Sequence, residues 1–213
     1  MTTNLRLTIS TIGAIIGLAG LEHGVGEVLQ GNVKPQGFYI KSWPNSRLYD
    51  IVDGEPAITI MPSILLAGLI TLMISILFII WVMYYLESPY KRYNFIILIG
   101  FSLTLLISGG GVAPPVIGLL VSPFIGKIPT QDIHKQRKIQ INGKKTKTWL
   151  ITYILCIVAY GSLWPGLIIF GLFMEVTDPL LVICLVLVSF SSLFVALYSS
   201  TLLETTTDND LAL

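Results

Sequence analysis

Four side chains suited to ion binding or proton exchange lie close together near the end of the first apolar stretch. They are Glu22, His23, Glu27 and Gln30, in the string Gly-Leu-Glu-His-Gly-Val-Gly-Glu-Val-Leu-Gln. Carboxylates and imidazoles bind cations and exchange protons, and imidazole does so near neutral pH. Such groups inside a membrane segment are functional candidates, because burying them is costly. A structural patch in which Glu22 and Glu27 simply reach water is the alternative.

The helical positions of these side chains predict which of them face other helices. At about 100° per residue, four glycines form one stripe, which lets another helix approach closely. These glycines are Gly13, Gly17, Gly20 and Gly24. Glu27 lies beside the stripe, with His23 and Gln30 on the same flank. Glu22 lies nearly opposite. We therefore expect Glu27 and His23 to face the bundle and share a proton, with Glu22 outside this pair.

A glycine triplet, Gly109 to Gly111, interrupts the third apolar stretch just before Pro114-Pro115. At about 1.5 Å per residue, the triplet reaches a depth similar to that of Glu27. Irregular backbone inside a membrane is tolerated where it faces protein or a wet cavity. The sequence therefore predicts a polar cavity, with a packing or kinking role for the triplet as the alternative. The candidate lining residues are His23, Glu27, Gln30, Gly109, Gly110 and Gly111, and Glu22 is a secondary candidate.

The spacing of these groups predicts no metal site, no cofactor and no soluble-enzyme motif. His23 and Glu27 are spaced like two metal ligands, but no third nitrogen or sulfur ligand is near them in sequence. The triplet lacks the lysine and the Ser/Thr of a phosphate-binding P-loop. Because neither GxSxG nor HExxH occurs, the chain is predicted not to be an enzyme. A lipid-modifying membrane enzyme that uses Glu27 or His23 as acid or base is a minor alternative.

The composition that surrounds this cluster indicates a lipid bilayer. The 213 residues are 54% hydrophobic and 12% charged, whereas soluble domains carry about 25% charged residues. Mean hydropathy is +0.80, and a net charge of +1 gives no reason to expect a nucleic-acid partner. We predict an all-α, polytopic membrane helix bundle that forms a single domain over residues 1–213. Its five transmembrane helices are expected at 7–30, 57–85, 95–121, 149–173 and 180–203.

The third stretch leaves two topologies open. Residues 95–126 number 32, which suits one long kinked span, and five crossings are therefore preferred. The alternative is four crossings plus a re-entrant segment at 95–126. Both place ten of the 13 Lys and Arg residues inside, so the positive-inside rule does not separate them.

The connection 127–147, here called the basic loop, sets the orientation. In both topologies it lies in the cytoplasm with the C-terminus, which predicts a multi-pass protein of the cell membrane. Its basic side chains are expected to contact anionic lipid. They include Lys135, Arg137, Lys138, Lys144, Lys145 and Lys147. Residues 204–213 are predicted to form an acidic, flexible tail.

Three strings resemble a known family. They are Gly-Leu-Glu-His-Gly-Val-Gly-Glu-Val-Leu-Gln-Gly-Asn at 20–32, Gly-Glu-Pro-Ala-Ile-Thr-Ile-Met-Pro at 54–62 and Ser-Gly-Gly-Gly-Val-Ala-Pro-Pro at 108–115. Together they resemble a family of small, multi-spanning prokaryotic membrane proteins that has no established activity. The resemblance covers roughly residues 7–128. It implies a prokaryotic membrane setting and adds no mechanism.

Two functions follow from these features. The first is a membrane protein that binds or moves a small solute or ion through the cavity lined by the first span and the glycine triplet. Because the chain is small and shows no internal repeat, it would then form a homo-oligomer or join a partner membrane subunit. The second is a structural or accessory subunit that docks a partner through the glycine stripe and the basic loop.

Labelling tests the orientation. A cysteine that replaces Lys144 should be shielded in intact cells from a membrane-impermeant thiol reagent, because both topologies place the basic loop in the cytoplasm. Ready labelling would contradict that orientation. A tag near Asn45 then separates the two topologies, since it is reachable from outside only if residues 95–126 re-enter.

Overall fold

The structure, a computed structural model, describes residues 4–44, 55–86, 91–128, 143–162 and 179–209. Within these ranges it contains six helices and one two-stranded antiparallel sheet. The elements are α1 (Asn4–Gln30), β1 (Tyr39–Ser42), β2 (Glu55–Ile58), α2 (Ile64–Tyr84), α3 (Lys91–Ser108), α4 (Ala113–Ile125), α5 (Gly143–Gly161) and α6 (Pro179–Asn209). The predicted helical bundle is confirmed at this level, and the short sheet is an addition that the sequence analysis missed.

Helix α1 is the centre of the bundle and packs against α2, α4 and α6. Its glycine stripe faces α2, from Gly13 opposite Val82 to Gly24 opposite Leu72. A methyl group at any of the four glycines would run into α2. The expected close approach of another helix is therefore confirmed, and the helix in question belongs to the same chain.

Helix α2 buries small and polar residues on one side and exposes large apolar residues on the other, as expected of a membrane helix that faces lipid. Its buried positions include the small and polar residues Gly68, Thr71 and Ser75. Its large exposed residues include Leu69, Met73, Ile76, Ile80 and Met83. Soluble proteins rarely expose such continuous apolar surface, whereas membrane helices pack through small residues and turn large apolar ones outward.

Among the described residues, three helices are long and apolar enough to cross a membrane. They are Asn4–Gln30, Ile64–Tyr84 and the segment Ile183–Leu203 of α6. Tyr93–Ser108, Ala113–Ile125 and Thr146–Gly161 are shorter apolar helices. Together with the apolar outer surface, these helices indicate a membrane protein, but five transmembrane helices are not confirmed.

The third apolar stretch is two helices that fold back on each other. Ser102 of α3 and Gly118 of α4 each lie eight residues from Gly110, and they are in direct contact. Along one continuous helix they would be about 24 Å apart. The preferred single kinked span over 95–121 is therefore not present, and residues 91–125 form a helical hairpin of the kind expected for the re-entrant alternative.

The reversal between α3 and α4, here called the tip, occupies residues 109–112. Gly109 and Gly111 have φ angles of 116° and 77°, a region that residues with a Cβ rarely adopt. Pro114 and Pro115 follow in the first turn of α4, where a helix needs no backbone N–H donor. The Gly-Pro pattern that suggested a kink thus produces a complete turn.

The two strands form a hairpin that joins the end of α1 to the tip. Antiparallel pairing sets Ser42 opposite Glu55. Just after β2, Thr59 forms an isolated bridge with Ser108, and the backbone N–H of Ile60 donates to Ile107 at 3.1 Å. The connection 31–55 therefore includes an ordered cover over one end of the bundle.

Helices α5 and α6 pack against each other, and α6 also packs against α1. The indole N–H of Trp149 donates to Thr8 at 3.0 Å, which ties α5 to the start of α1. Helix α6 continues to Asn209, so the predicted tail is helical over 204–209.

Parts of three predicted segments lie outside the described residues. These parts are 163–173 of the predicted fourth span, 129–142 of the basic loop and 210–213 of the tail. Lys135, Arg137 and Lys138 fall among them. Lys144 and Lys145 belong to α5, of which only the backbone is described there, whereas Lys147 is exposed.

Crosslinking tests the helical hairpin. The Cβ of Ser102 lies 3.3 Å from the position that a Cβ on Gly118 would take, which is close to the spacing in a disulfide. In a chain whose two cysteines are replaced by alanine, Ser102→Cys with Gly118→Cys should form a disulfide on mild oxidation. Gel shift with a PEG-maleimide measures the loss of both free thiols.

The matched control is Gly100→Cys with Gly118→Cys, because a Cβ on Gly100 meets nothing within 4 Å. This pair should stay reduced. If the Ser102/Gly118 pair also stays reduced, α3 and α4 do not fold back and the hairpin is wrong.

Candidate functional site

His23 is held at both ring nitrogens. Its side chain is almost fully buried, with 3% exposed. Nδ1 lies 2.9 Å from the Ser42 hydroxyl oxygen, and Nε2 lies 2.6 Å from a carboxylate oxygen of Glu55. Ser42 and Glu55 are opposite each other in the sheet, and opposite residues project from the same face. One cross-strand pair therefore fixes both the position and the orientation of the imidazole.

Glu55 is the site residue that the sequence analysis missed. Its side chain is 38% exposed. Burial alone would raise the pKa of this carboxyl, but the hydrogen bond and the charge interaction with His23 outweigh burial and hold the pKa below its usual range. The register of two short strands brings Glu55 to His23, and the only local signals for it were Gly54 before it and Pro56 after it.

Glu22 also joins this group. One potential ligand atom from each of Glu22, His23 and Glu55 lies within 4.8 Å of the other two. Glu22 was expected to lie outside the Glu27–His23 pair, as a secondary candidate, since it is nearly opposite Glu27 on the helical wheel. It is only about 100° from His23, and the hairpin brings Glu55 to the same side.

Glu27 lies one helical turn after His23 on α1 and does not pair with His23 as the sequence analysis expected. Its side chain is 0% exposed. Gly109 of the tip stands directly against the carboxylate, and Gly68 of α2 against the Cβ. Neither carboxylate oxygen has a hydrogen-bond partner in the described part of the chain. The carboxylate that pairs with His23 is that of Glu55, whereas the sequence analysis expected that of Glu27.

The three glycines of the triplet have different neighbours. Gly109 faces the Glu27 carboxylate and Gly111 faces the His23 ring, and a Cβ at either position would collide with its neighbour. Gly110 packs on Leu105 instead. Two of the three predicted lining glycines therefore contact the polar side chains, and the third stabilises the turn.

Hydrogen bonds fix the position of the tip. The Thr71 hydroxyl of α2 donates to the hydroxyl oxygen of Ser108 at 3.0 Å. The Ser108 hydroxyl in turn donates to the carbonyl of Leu105. Ser108 is fully buried, so these bonds and the bridge to Thr59 hold the tip beside Glu27 and His23.

Gln30 is placed away from the Glu27 and His23 contacts. Its amide N–H groups donate to the carbonyls of Gly26 at 3.1 Å and Lys41 at 3.2 Å. Gln30 also lines a neighbouring cavity of about 420 Å³ together with Trp43. Its role in the structure is to bind β1 to the last turn of α1.

The arrangement contains two chemically different groups. The Glu22–His23–Glu55 cluster offers one imidazole and two carboxylates with a half-exposed entrance at Glu55. Glu27 offers a single carboxylate that has been removed from water. The first group suits cation coordination, and the second suits a ligand that brings its own charge or proton donor.

Substitutions at His23 and Glu27, which are one helical turn apart, test whether each side chain stabilises or destabilises the fold. Glu27→Met should raise the free energy of unfolding by roughly 1–3 kcal/mol, because it removes a buried carboxylate that has no partner. His23→Leu should lower it by a similar amount, because it leaves Ser42 and Glu55 without the imidazole. Thermal unfolding in detergent, followed by tryptophan fluorescence, measures both effects.

Leu29→Met is the matched control, since Leu29 is 71% exposed on the same helix. It should change stability by less than about 0.5 kcal/mol. A loss of stability in Glu27→Met as large as that in His23→Leu would mean that Glu27 has a stabilising partner.

Comparison of the chain with protein-family models, with curated proteins and with solved structures finds no match. The resemblance of residues 7–128 to a prokaryotic membrane family stays a prediction.

Proposed function

We propose that this chain is a multi-pass integral membrane protein that binds or moves a small ion or solute between α1 and the tip. The observation that carries the proposal is the buried Glu27 carboxylate, which has no hydrogen-bond partner in the described ranges. Its neighbours Gly68 and Gly109 leave room for the carboxylate but provide no countercharge.

The energetics of Glu27 favour a ligand. An ionised carboxylate that is buried without a partner costs several kcal/mol in effective terms. A bound proton, a cation or a hydrogen-bond donor on a solute would offset that cost. A carboxylate that is buried without a partner is expected where a residue exchanges a charged ligand. A purely structural carboxylate would instead be expected to have hydrogen-bond partners.

The irregular backbone beside Glu27 supports the same function. Gly109 and Gly111 interrupt the helices where they meet the side chains of α1. Transporters often place such broken helices at their binding sites, because the interrupted backbone frees polar groups for the ligand. This similarity is one of architecture alone, and the chemistry of Glu27 is the stronger support.

For topology, we propose four crossings by α1, α2, α5 and α6, with α3–α4 as a re-entrant hairpin. The hairpin geometry supports this model over five crossings, and the charge distribution is compatible with it. With the N-terminus and the C-terminus in the cytoplasm, ten basic residues lie inside and three outside, in agreement with the positive-inside rule. The sheet and Glu55 then face the outside, and the basic loop lies next to anionic lipid.

The accessory-subunit function has less support. One of its two expected docking surfaces, the glycine stripe of α1, is covered by α2 of the same chain. Assembly into a homo-oligomer or with a partner subunit is compatible with the proposal through other apolar faces.

Flux measurements test the proposal. The purified chain is reconstituted in vesicles that contain a fluorescent indicator for the ion under test, and gradients of H⁺, Na⁺, K⁺, Mg²⁺ and Mn²⁺ are imposed in turn. We expect at least one gradient to dissipate faster than in protein-free vesicles. Glu27→Gln should reduce that rate about tenfold or more, because the amide cannot exchange a proton or neutralise a cation.

Glu204→Gln, near the C-terminal end of α6, is the matched carboxylate control and should keep the full rate. Equal rates for Glu27→Gln and the unaltered chain would contradict a role for Glu27. If none of the tested gradients dissipates faster with protein than without it, movement of these ions is excluded.

A further inference from the structure

We propose that Glu22, His23 and Glu55 bind one divalent first-row transition-metal cation, with Zn²⁺ as the representative ion. These side chains come from two separate elements, since Glu22 and His23 lie on α1 and Glu55 begins β2. The proposed site stands whether or not Glu27 takes part in transport.

The spacing of the three groups is close to that of a metal site. One donor atom from each side chain lies within 4.8 Å of the other two. Ligands about 2.0–2.2 Å from a tetrahedral zinc ion are roughly 3.4 Å apart. The 2.6 Å contact between His23 and Glu55 would lengthen by about 0.8 Å, and the widest separation would shorten by at most about 1.4 Å. Side-chain rotation supplies movements of this size.

The orientation of His23 matches that of a metal-binding histidine. Such residues usually donate the ring N–H that does not bind the metal to a neighbouring acceptor, which fixes the tautomer. Nδ1 of His23 lies 2.9 Å from the hydroxyl oxygen of Ser42. If Nδ1–H donates to this oxygen, the lone pair of Nε2 points to Glu55, where the cation would lie.

The carboxylates explain why a cation would bind there. Glu22 and Glu55 approach each other around a single imidazole, and a divalent ion would neutralise both. The 38% exposure of Glu55 gives the ion a route into a site whose histidine is buried. Three protein ligands also leave a coordination position for water or for an exchanging ligand.

A second observation indicates a ligand in the same region. The fully buried Glu27 carboxylate, with no partner in the residues described, faces Gly109, and the His23 ring faces Gly111 of the same tip. A cation beside His23 would bring positive charge near a carboxylate that otherwise lacks it.

The donor set selects the class of metal. One imidazole nitrogen and two carboxylates suit Zn²⁺, Mn²⁺ or Fe²⁺. Ca²⁺ and Mg²⁺ favour ligand sets built from oxygen alone. The cluster contains no thiolate or thioether, so Cu⁺ is not the expected ion.

Zinc binding tests the site directly. The full chain, purified without a histidine tag and with Cys184 replaced by alanine, is treated with EDTA and titrated with ZnCl₂ against a chromophoric chelator. We expect one Zn²⁺ per chain. Glu55→Gln and His23→Gln should each raise the Kd at least tenfold, and Ser42→Ala should raise it roughly tenfold by removing the orienting hydrogen bond.

Glu204→Gln, on α6 and outside the cluster, is the matched control and should bind zinc with a Kd within about threefold of the parent. Since Glu55 is partly exposed, Glu55→Gln keeps the test valid if His23→Gln fails to fold. Co²⁺ in place of Zn²⁺ should give visible absorption bands that disappear in Glu55→Gln.

Three outcomes would overturn the proposed site. One is the absence of zinc binding by the folded parent chain. Another is equal zinc affinity in the parent, Glu55→Gln and His23→Gln, which would place the ion elsewhere. The third is binding of Ca²⁺ or Mg²⁺ in preference to Zn²⁺. Glu27-dependent flux in vesicles would be unaffected by any of these results.

Discussion

The contacts of the His23 imidazole with Ser42 and Glu55 connect the parts of the molecule that form the polar region. Ser42 and Glu55 contact the two ring nitrogens from one cross-strand pair, so α1 and the sheet are fixed to each other through a single imidazole. The sheet then fixes the tip through Thr59 and Ser108. If the imidazole were lost, the cover over the end of α1 and the surroundings of Glu27 would both lose a point of attachment.

Glycines, which have no side chain, provide the space in which Glu27 and His23 lie. Gly68 and Gly109 leave the space that Glu27 occupies, and Gly111 leaves the space for the His23 ring. Each glycine also lowers local stability, because it orders a flexible backbone and contributes no side-chain packing. Even small apolar side chains at these positions would collide with Glu27 or His23, and at Gly109 and Gly111 they would also strain the backbone. The structure combines closely packed helices with polar groups between them, as membrane proteins do around functional sites.

The sequence could predict those features that depend on one helix and not those that depend on pairing between distant segments. The spacing of the glycines around α1 is a local property, and it correctly predicted that another helix packs against the glycine stripe. The cluster around Glu55 depends on a strand register across residues 43–54, which no periodicity encodes. Similarly, the rise of a helix from Lys91 to Ser108 is the same whether the chain continues or reverses at Gly109. Contacts between the two helices, such as that of Ser102 with Gly118, show that the chain reverses.

Stability alone accounts for His23 but not for Glu27. The imidazole is satisfied at both nitrogens, so a purely structural role would explain its burial. The Glu27 carboxylate is equally buried and has no hydrogen-bond partner among the residues described. An apolar side chain of similar size would fill the same space without the cost of removing a carboxylate from water. A group that lowers stability at a site of irregular backbone is expected where function requires it. Glu27 therefore carries more weight for function than the better-connected histidine one turn before it.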